Sequence, residues 1–230
     1  MGLKAEWYNH FYESKEILTT YSWYEGLSKL KSRNNIDFSN KKVLEIGSGA
    51  GEFLSTVHAE TVVGIDISSS GLRLAKSRMS EAFFVQAKAE QIPFLDDTFD
   101  IIVCCEVLEH VDSMSKVIAE MRRLLRPNGM LFISFPNYLN PIYTGVRWLA
   151  KIFRRPNWIS LQIVDRYLFY FSMMKRFKNA GFDKVAAKGT CYSHHKIPVI
   201  KIFNRFEPLM DSIGLQFLSF HPVILFRKTI

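Results

Sequence analysis

Hydrophobic residues fall along this chain in short, nearly unbroken runs, separated by stretches in which they return every third or fourth position. The runs are Val43 to Ile46, Val62 to Ile65, Phe83 to Ala87, Phe99 to Cys105 and Met130 to Phe135. Runs of this kind suit strands of a parallel sheet covered on both faces. The intervening spacing predicts a short helix over 52–59 and a second helix opened by the hydroxyls of Ser68, Ser69 and Ser70 that reaches about residue 81. A third is capped by Asp112 and has Val117, Ile118, Met121, Leu124 and Leu125 on one face. Arg126-Pro127-Asn128-Gly129 breaks that helix before the fifth strand. Ser172 to Ala180 reads as a further helix, Gly181 to Val185 as the start of a sixth strand, and 215–227 as a last, aromatic-rich strand. Such alternation implies right-handed crossovers and a doubly wound α/β sheet, with ligands at the carboxyl ends of its strands.

Three stretches lie outside the alternation. Residues 6–34 are rich in aromatic side chains, and Trp23, Leu27 and Leu30 follow helical spacing. One or two amphipathic helices are predicted there, acting either as a lid over the ligand site or as a layer packed on the sheet. The segment from Pro136 to Phe171 is longer than a simple connection and interleaves Tyr138, Tyr143 and Trp148 with Arg147, Lys151 and Arg154. Long connections usually carry function. Residues 197–213 read as another amphipathic segment bearing Lys201 and Arg205. The layout is an N-terminal helical lid over 1–40 and a main domain over 41–230, with partner-facing insertions at about 136–171 and 190–214.

Candidate chemistry begins where the first strand ends. Glu45-Ile46-Gly47-Ser48-Gly49-Ala50-Gly51-Glu52 places three glycines at alternate positions. Such a turn needs positive φ and lets a ligand approach backbone that has no Cβ. A dinucleotide fingerprint would want a third glycine where Glu52 stands, and no Lys followed by Ser or Thr makes a phosphate loop. Glu45, two places before the first glycine, suits a ligand carrying a cationic amino group. Asp66 closes the second strand about 20 residues past that glycine, the distance at which an acid grips ribose hydroxyls.

The two acids around this glycine turn resemble the class I S-adenosylmethionine-dependent methyltransferases, particularly the small-molecule branch that includes the ubiquinone and menaquinone biosynthesis enzymes. The resemblance covers about residues 40–136. It implies a Rossmann-like, seven-stranded sheet with an antiparallel last strand, N-terminal helices and a helical insertion after the fifth strand. The implied cofactor is S-adenosylmethionine, with S-adenosylhomocysteine as product. Glu45, Gly47, Ser48, Gly49 and Gly51 would hold its methionine end, Asp66 its ribose, and Ile67 would pack on adenine. Ala89, Glu90 and Cys105 complete the implied cofactor set. In the loop Lys88 to Phe94 the family usually has an Asp where this chain has Lys88, which cannot accept a hydrogen bond while protonated. The backbone of Ala89 is left to make that contact.

Methyl transfer is an in-line displacement helped mainly by alignment and desolvation, and an oxygen acceptor must also lose a proton. His110, beyond the fourth strand, is the candidate base together with Glu106, the alternative being a histidine that only orders its loop. Glu106-x-x-Glu109-His110 also looks like the metal-binding motif of small-RNA 2′-O-methyltransferases and the matching segment of ubiquinone O-methyltransferases. His194 and His195 follow without the spacing of that family. Many relatives with a Leu-Glu-His triplet need no metal, so metal-free transfer, with oxygen as target, is the favoured reading.

Composition adds one decisive feature. At 230 residues and 48% hydrophobic content, one domain with an appendage is expected. Apolar runs are broken well short of the roughly 18 residues a membrane span needs, the N-terminus has no signal core, and Cys104, Cys105 and Cys191 read as reduced residues of a cytoplasmic protein. The net charge of +8, however, divides into −6 over residues 1–115 and +14 over 116–230. A basic, aromatic second half points to an anionic partner. The readings are an anionic membrane on the cytoplasmic side that presents a lipophilic acceptor, a nucleic acid, or an ordinary solvated surface. No recognisable RNA-binding module supports the nucleic acid. A cofactor-binding protein without catalysis and a nicotinamide oxidoreductase are the competing functions, the latter disfavoured by Glu52.

Overall fold

The computed structural model describes residues 2–13, 22–152, 166–190 and 206–230. Its strands are β1 (Lys42–Ile46), β2 (Thr61–Asp66), β3 (Phe83–Gln86), β4 (Phe99–Cys105), β5 (Leu125–Ser134), β6 (Phe182–Lys188) and β7 (Val223–Lys228). The helices are α1 (Gly2–Glu13), α2 (Ser22–Arg33), α3 (Ser69–Arg78), α4 (Met114–Leu124), α5 (Pro141–Ile152), α6 (Tyr170–Asn179) and α7 (Glu207–Ser212). All seven strands form one sheet in the order β3-β2-β1-β4-β5-β7-β6, with β7 antiparallel to both neighbours and the remaining pairs parallel. The doubly wound sheet with an antiparallel last strand is the expected one. Strand order reverses between β1 and β4, which opens a crevice at their carboxyl ends.

Strand β4 shows why its run is apolar throughout. Ile101, Val103 and Cys105 face one core layer, shared with Trp23, Leu27 and Leu30 of α2. Ile102 and Cys104 face the other, shared with Val117, Ile118 and Met121 of α4. The period of two sends neighbouring cysteines to opposite sides of the sheet. Each fully buried aliphatic side chain contributes about 1.5–3 kcal/mol, so both layers fix the plane of the carboxyl-end crevice firmly.

Four local expectations are corrected. Residues 52–59 form a turn, a single 3-10 turn at Leu54–Thr56 and irregular backbone instead of an α-helix. The carbonyls of Glu52 and Phe53 are taken by the hydroxyls of Ser55 and Thr56 and by Tyr24 Oη from α2, at 2.8–3.0 Å. These bonds compete with helix continuation. Helix α4 is preceded by Ser113, not capped by Asp112; the Glu90 carboxylate accepts from the amides of Asp112 and Ser113 at 2.7 and 3.1 Å. Strand β5 starts at Leu125, five residues early, because the Arg126–Gly129 segment continues the strand through a register shift, with Arg126 paired to Asp100 at 2.8 Å. The last strand begins at Val223, and Leu215–Leu218 is a 3-10 turn. In the two insertions, residues 153–165 and 191–205 lie outside the described residues, and with them His194 and His195.

Candidate functional site

A cavity opens over the carboxyl ends of β1, β2 and β4 and is roofed by α1. Glu45 stands at its floor, 5% exposed, and Glu45 Oε2 has no hydrogen-bond partner. Burial, then repulsion from Glu52 and Asp66, holds the Glu45 carboxyl well above the usual carboxylate range. A buried acceptor left unmatched among other acids lacks a cation. That is the complement an α-ammonium group beside a sulfonium would supply.

The glycine turn fits the same ligand and excludes a pyrophosphate. The amides of Gly47 and Ser48 both donate to the carbonyl of Ile65, at 2.8 and 2.9 Å. The amide of Gly49 donates to Asp66 Oδ2 at 2.9 Å, and that of Gly51 to the carbonyl of Ser48 at 2.8 Å. A phosphate cradle presents such amides to the ligand, whereas here they are engaged within the turn. What the glycines supply is room. With φ at +77°, a Cβ on Gly47 would fall 2.3 Å from Val107 Cγ2. One on Gly49, at φ +50°, would fall 2.1 Å from Tyr12 Oη of the roof.

Placement of the remaining expected residues is uneven. Gly47, Ser48, Gly49, Asp66, Ile67, Ala89, Glu90 and Cys105 line the cavity with Glu45. Gly51 does not; it faces α3, where a Cβ would meet Ala75 Cβ at 3.0 Å, so its role is helix packing. Asp66 accepts from Gly49 through Oδ2 and from the amide of Ser68 through Oδ1 at 2.7 Å, which fixes the carboxylate while leaving lone pairs for hydroxyl donors. Glu90 reaches the wall, but its carboxylate is held by the start of α4. Lys88 is bound to Asp112 at 3.2 Å, and Asp112 also takes Lys4 of α1 at 3.1 Å.

Glu106, Glu109 and His110 do not form one constellation. Glu106 leaves β4 with φ +56°, its Oε1 accepting from Ser134 Oγ and its Oε2 lying 2.9 Å from His221 Nδ1. Glu109 is fully buried with both oxygens lacking hydrogen-bond partners, its nearest cation-capable neighbour being His110 Nε2 at 3.6 Å. Burial, reinforced by Glu106, pushes the Glu109 carboxyl well up, toward the neutral acid. Among the described residues no three His, Cys, Asp or Glu side chains gather in a way that could hold a metal ion. Glu106 and His110 both reach the cavity wall, each tied to a different partner.

Two residues of the site carry no sequence signal. Asn9 of α1 accepts through Oδ1 from Ser68 Oγ at 2.8 Å and from the Ser70 amide at 3.2 Å, tying the roof to the start of α3. His221 approaches Glu106 across 115 positions of sequence, so no local spacing marks it.

An open sheet of this order, with a cation-seeking acid under the turn after β1 and an acid at the end of β2, defines a Rossmann-like domain for a nucleoside cofactor. The sequence profile described as "Methyltransferase domain" matches residues 44–133. A phthiotriol/phenolphthiotriol dimycocerosates methyltransferase of Mycobacterium ulcerans is 32% identical over 55% of the chain and 48% of that protein. A ubiquinone/menaquinone biosynthesis C-methyltransferase of Haemophilus ducreyi is 32% identical over 56% of the chain and 54% of its own length. A ubiquinone biosynthesis O-methyltransferase of Pseudomonas fluorescens is 33% identical over 52% of the chain and 56% of its own. These matches span about half the length of those relatives. In fold, an S-adenosylmethionine-dependent methyltransferase of Thermotoga maritima superposes with a TM-score of 0.65, covering 90% of each chain at 20% identity. Residues 44–133 therefore match a methyltransferase domain, set in a fold shared with that S-adenosylmethionine-dependent enzyme.

Proposed function

We propose that this protein transfers the methyl group of S-adenosylmethionine to a hydroxyl of a small, lipophilic acceptor. The observation that carries the proposal is the orphaned, buried Glu45 beneath a glycine turn whose amides are already engaged. Glu45 would take the ammonium end and Asp66 the ribose hydroxyls, with Ile67 and Ala89 on the adenine side. The cofactor supplies an electrophilic methyl group on a sulfonium centre. The protein supplies alignment, a roof that excludes water, and a carboxylate, Glu106, on the acceptor side. Two relatives named for carbon and for oxygen methylation leave the acceptor atom to the site, and a carboxylate placed there favours an ionisable hydroxyl.

The lipophilic character of the acceptor rests on the opposite half of the molecule. Helix α5 exposes Trp148, Leu149 and Ile152, and Phe169 and Phe171 are exposed at the start of α6. Phe171, Lys175 and Lys178 recur at helical spacing on the exposed face of α6. Aromatic and basic residues together suit an anionic lipid surface. No helix among the described residues is long and apolar enough to cross a membrane. Relatives named for phthiotriol dimycocerosates and for ubiquinone support an acceptor with a long apolar part.

Calorimetric titration with S-adenosylhomocysteine tests the cofactor, and micromolar-range binding is expected. Absence of binding overturns the proposal. Flotation with phosphatidylcholine vesicles, with and without phosphatidylglycerol, tests the surface; equal recovery on both overturns the lipid part alone.

A further inference from the structure

The acceptor side of the cavity holds a carboxylate in a backbone conformation that glutamate rarely adopts. Glu106 sits at φ +56°, in the left-handed region, and such a conformation persists only where the surroundings over-determine it. Three contacts do so. Its amide donates to the carbonyl of Ser134 at 3.1 Å, Ser134 Oγ donates to Oε1, and His221 Nδ1 lies 2.9 Å from Oε2. The residues come from the end of β4, the end of β5 and the entrance to β7, so three strands converge on one carboxylate.

His221 is itself fixed. Its amide donates to the carbonyl of Thr190 at 3.2 Å, and Thr190 Oγ1 returns a bond to the His221 carbonyl at 2.6 Å. The Phe220 ring packs edge-on to the imidazole with centroids 4.2 Å apart. An imidazole so anchored presents one nitrogen to Glu106 and holds the carboxylate in a single rotamer on the cavity wall. A packing role alone would not require an ionisable ring at ion-pair distance, 2.9 Å, from a strained acid.

Resting on the methyl-transfer reading above, we propose that Glu106 is the base that receives the acceptor's hydroxyl proton and that His221 is the positioning residue that aims it. The acceptor O–H bond breaks with its proton passing to the Glu106 carboxylate. The O–CH₃ bond forms as the C–S bond breaks, and the electron pair of that bond stays on sulfur. Ser134 Oγ donates to Oε1, and the His221 imidazole stands against Oε2 at ion-pair distance, 2.9 Å, so both oxygens of the carboxylate are held in place by protein groups.

The test uses the full-length protein with methyl-labelled S-adenosylmethionine and two hydroxyl probes, catechol and a long-chain alkyl phenol. Glu106→Gln is expected to lose roughly a hundredfold or more in kcat, the scale of general-base catalysis. His221→Ala is expected to lose about tenfold in kcat, the scale of one charge-assisted hydrogen bond, with S-adenosylhomocysteine affinity within about twofold of the parent. An unchanged kcat in His221→Ala, or a parallel loss of cofactor affinity, overturns the positioning role. Failure of the parent protein to methylate either probe while it binds S-adenosylhomocysteine overturns Glu106 as a hydroxyl base. Failure to bind S-adenosylhomocysteine defeats instead the reading beneath it.

Discussion

The two ends of the cavity treat carboxylates in opposite ways. Under the glycine turn, burial and then neighbouring carboxylates hold the Glu45 carboxyl well above its usual range, burial likewise raises Asp66, and Glu45 Oε2 has nothing to accept from. Beyond β4, Glu106 Oε1 accepts from Ser134 Oγ, and Oε2 lies at ion-pair distance, 2.9 Å, from His221 Nδ1. One end is incomplete until a cation arrives; at the other, both carboxylate oxygens already stand against protein groups. The difference teaches where binding energy is gained and where geometry is set in advance. An orphaned acid gains its partner from the ligand, and a fully held acid loses no freedom when the acceptor docks.

The sharpest way to break the contrast is at Asp66, which serves both purposes by holding Gly49 and Ser68 and offering lone pairs to ribose hydroxyls. Asp66→Ala is expected to weaken S-adenosylhomocysteine binding by at least roughly a hundredfold, since hydrogen bonds to a charged group contribute about 1.5–3 kcal/mol each. Calorimetry reads the loss directly. Affinity within about threefold of the parent would mean that the carboxylate organises the turn and does not touch the ligand.

Glu45→Gln sharpens the comparison, because ligand binding and stability should move in opposite directions. Burial and the neighbouring acids raise the pKa of Glu45 in the folded state. The folded protein therefore holds this proton more tightly than the unfolded chain, and stability falls as pH rises from the ordinary carboxylate range through the raised value. The amide has no such titration. At pH 8 the variant is expected to melt no lower than the parent, and at pH 5 the parent is expected to recover the stability it lacks at pH 8. S-adenosylhomocysteine binding is expected to weaken about tenfold, the scale of one charge-assisted bond. A variant that melts lower at pH 8 and binds normally would show that Glu45 is a structural acid with a partner of its own.

These two ends were unequally legible in the sequence. Glu45, the glycines and Asp66 lie within one strand–turn–helix unit and the strand after it, so spacing alone brings them together. The first five strands were legible as apolar runs, whereas the seven-stranded sheet with its antiparallel last strand was implied by the family resemblance, and its strand order is a finding of the structure. Glu106 and His221 meet only because β7 returns beside β5, a long-range pairing that no local pattern records. Where local propensity and tertiary contacts disagreed, the contacts won. The segment after Gly51 has helical composition, yet Tyr24 reaches across from α2 to the carbonyls that a helix would use. Asp112 has the chemistry of a cap, but Lys4 and Lys88 claim it and Glu90 caps in its place.

The smallest effect is expected at the roof, which joins the two ends. Helix α1 is moored at the cofactor end by Asn9 and at the acceptor end by Lys4, which donates to the His110 carbonyl at 2.8 Å and pairs with Asp112. The exposed Lys4–Asp112 pair contributes about 0–1 kcal/mol, and the Asn9 bonds about 1 kcal/mol net. Asn9→Ala is therefore expected to weaken S-adenosylhomocysteine binding only about fivefold, through faster dissociation, because Tyr12 lies over Gly49 and departure of the ligand requires α1 to lift. Stopped-flow release monitored by the fluorescence of Trp7, together with hydrogen exchange across residues 2–13, reads both changes. Faster exchange in α1 with an unaltered release rate would show that the roof rests on the cavity without gating it, and the two ends would then exchange their ligands independently.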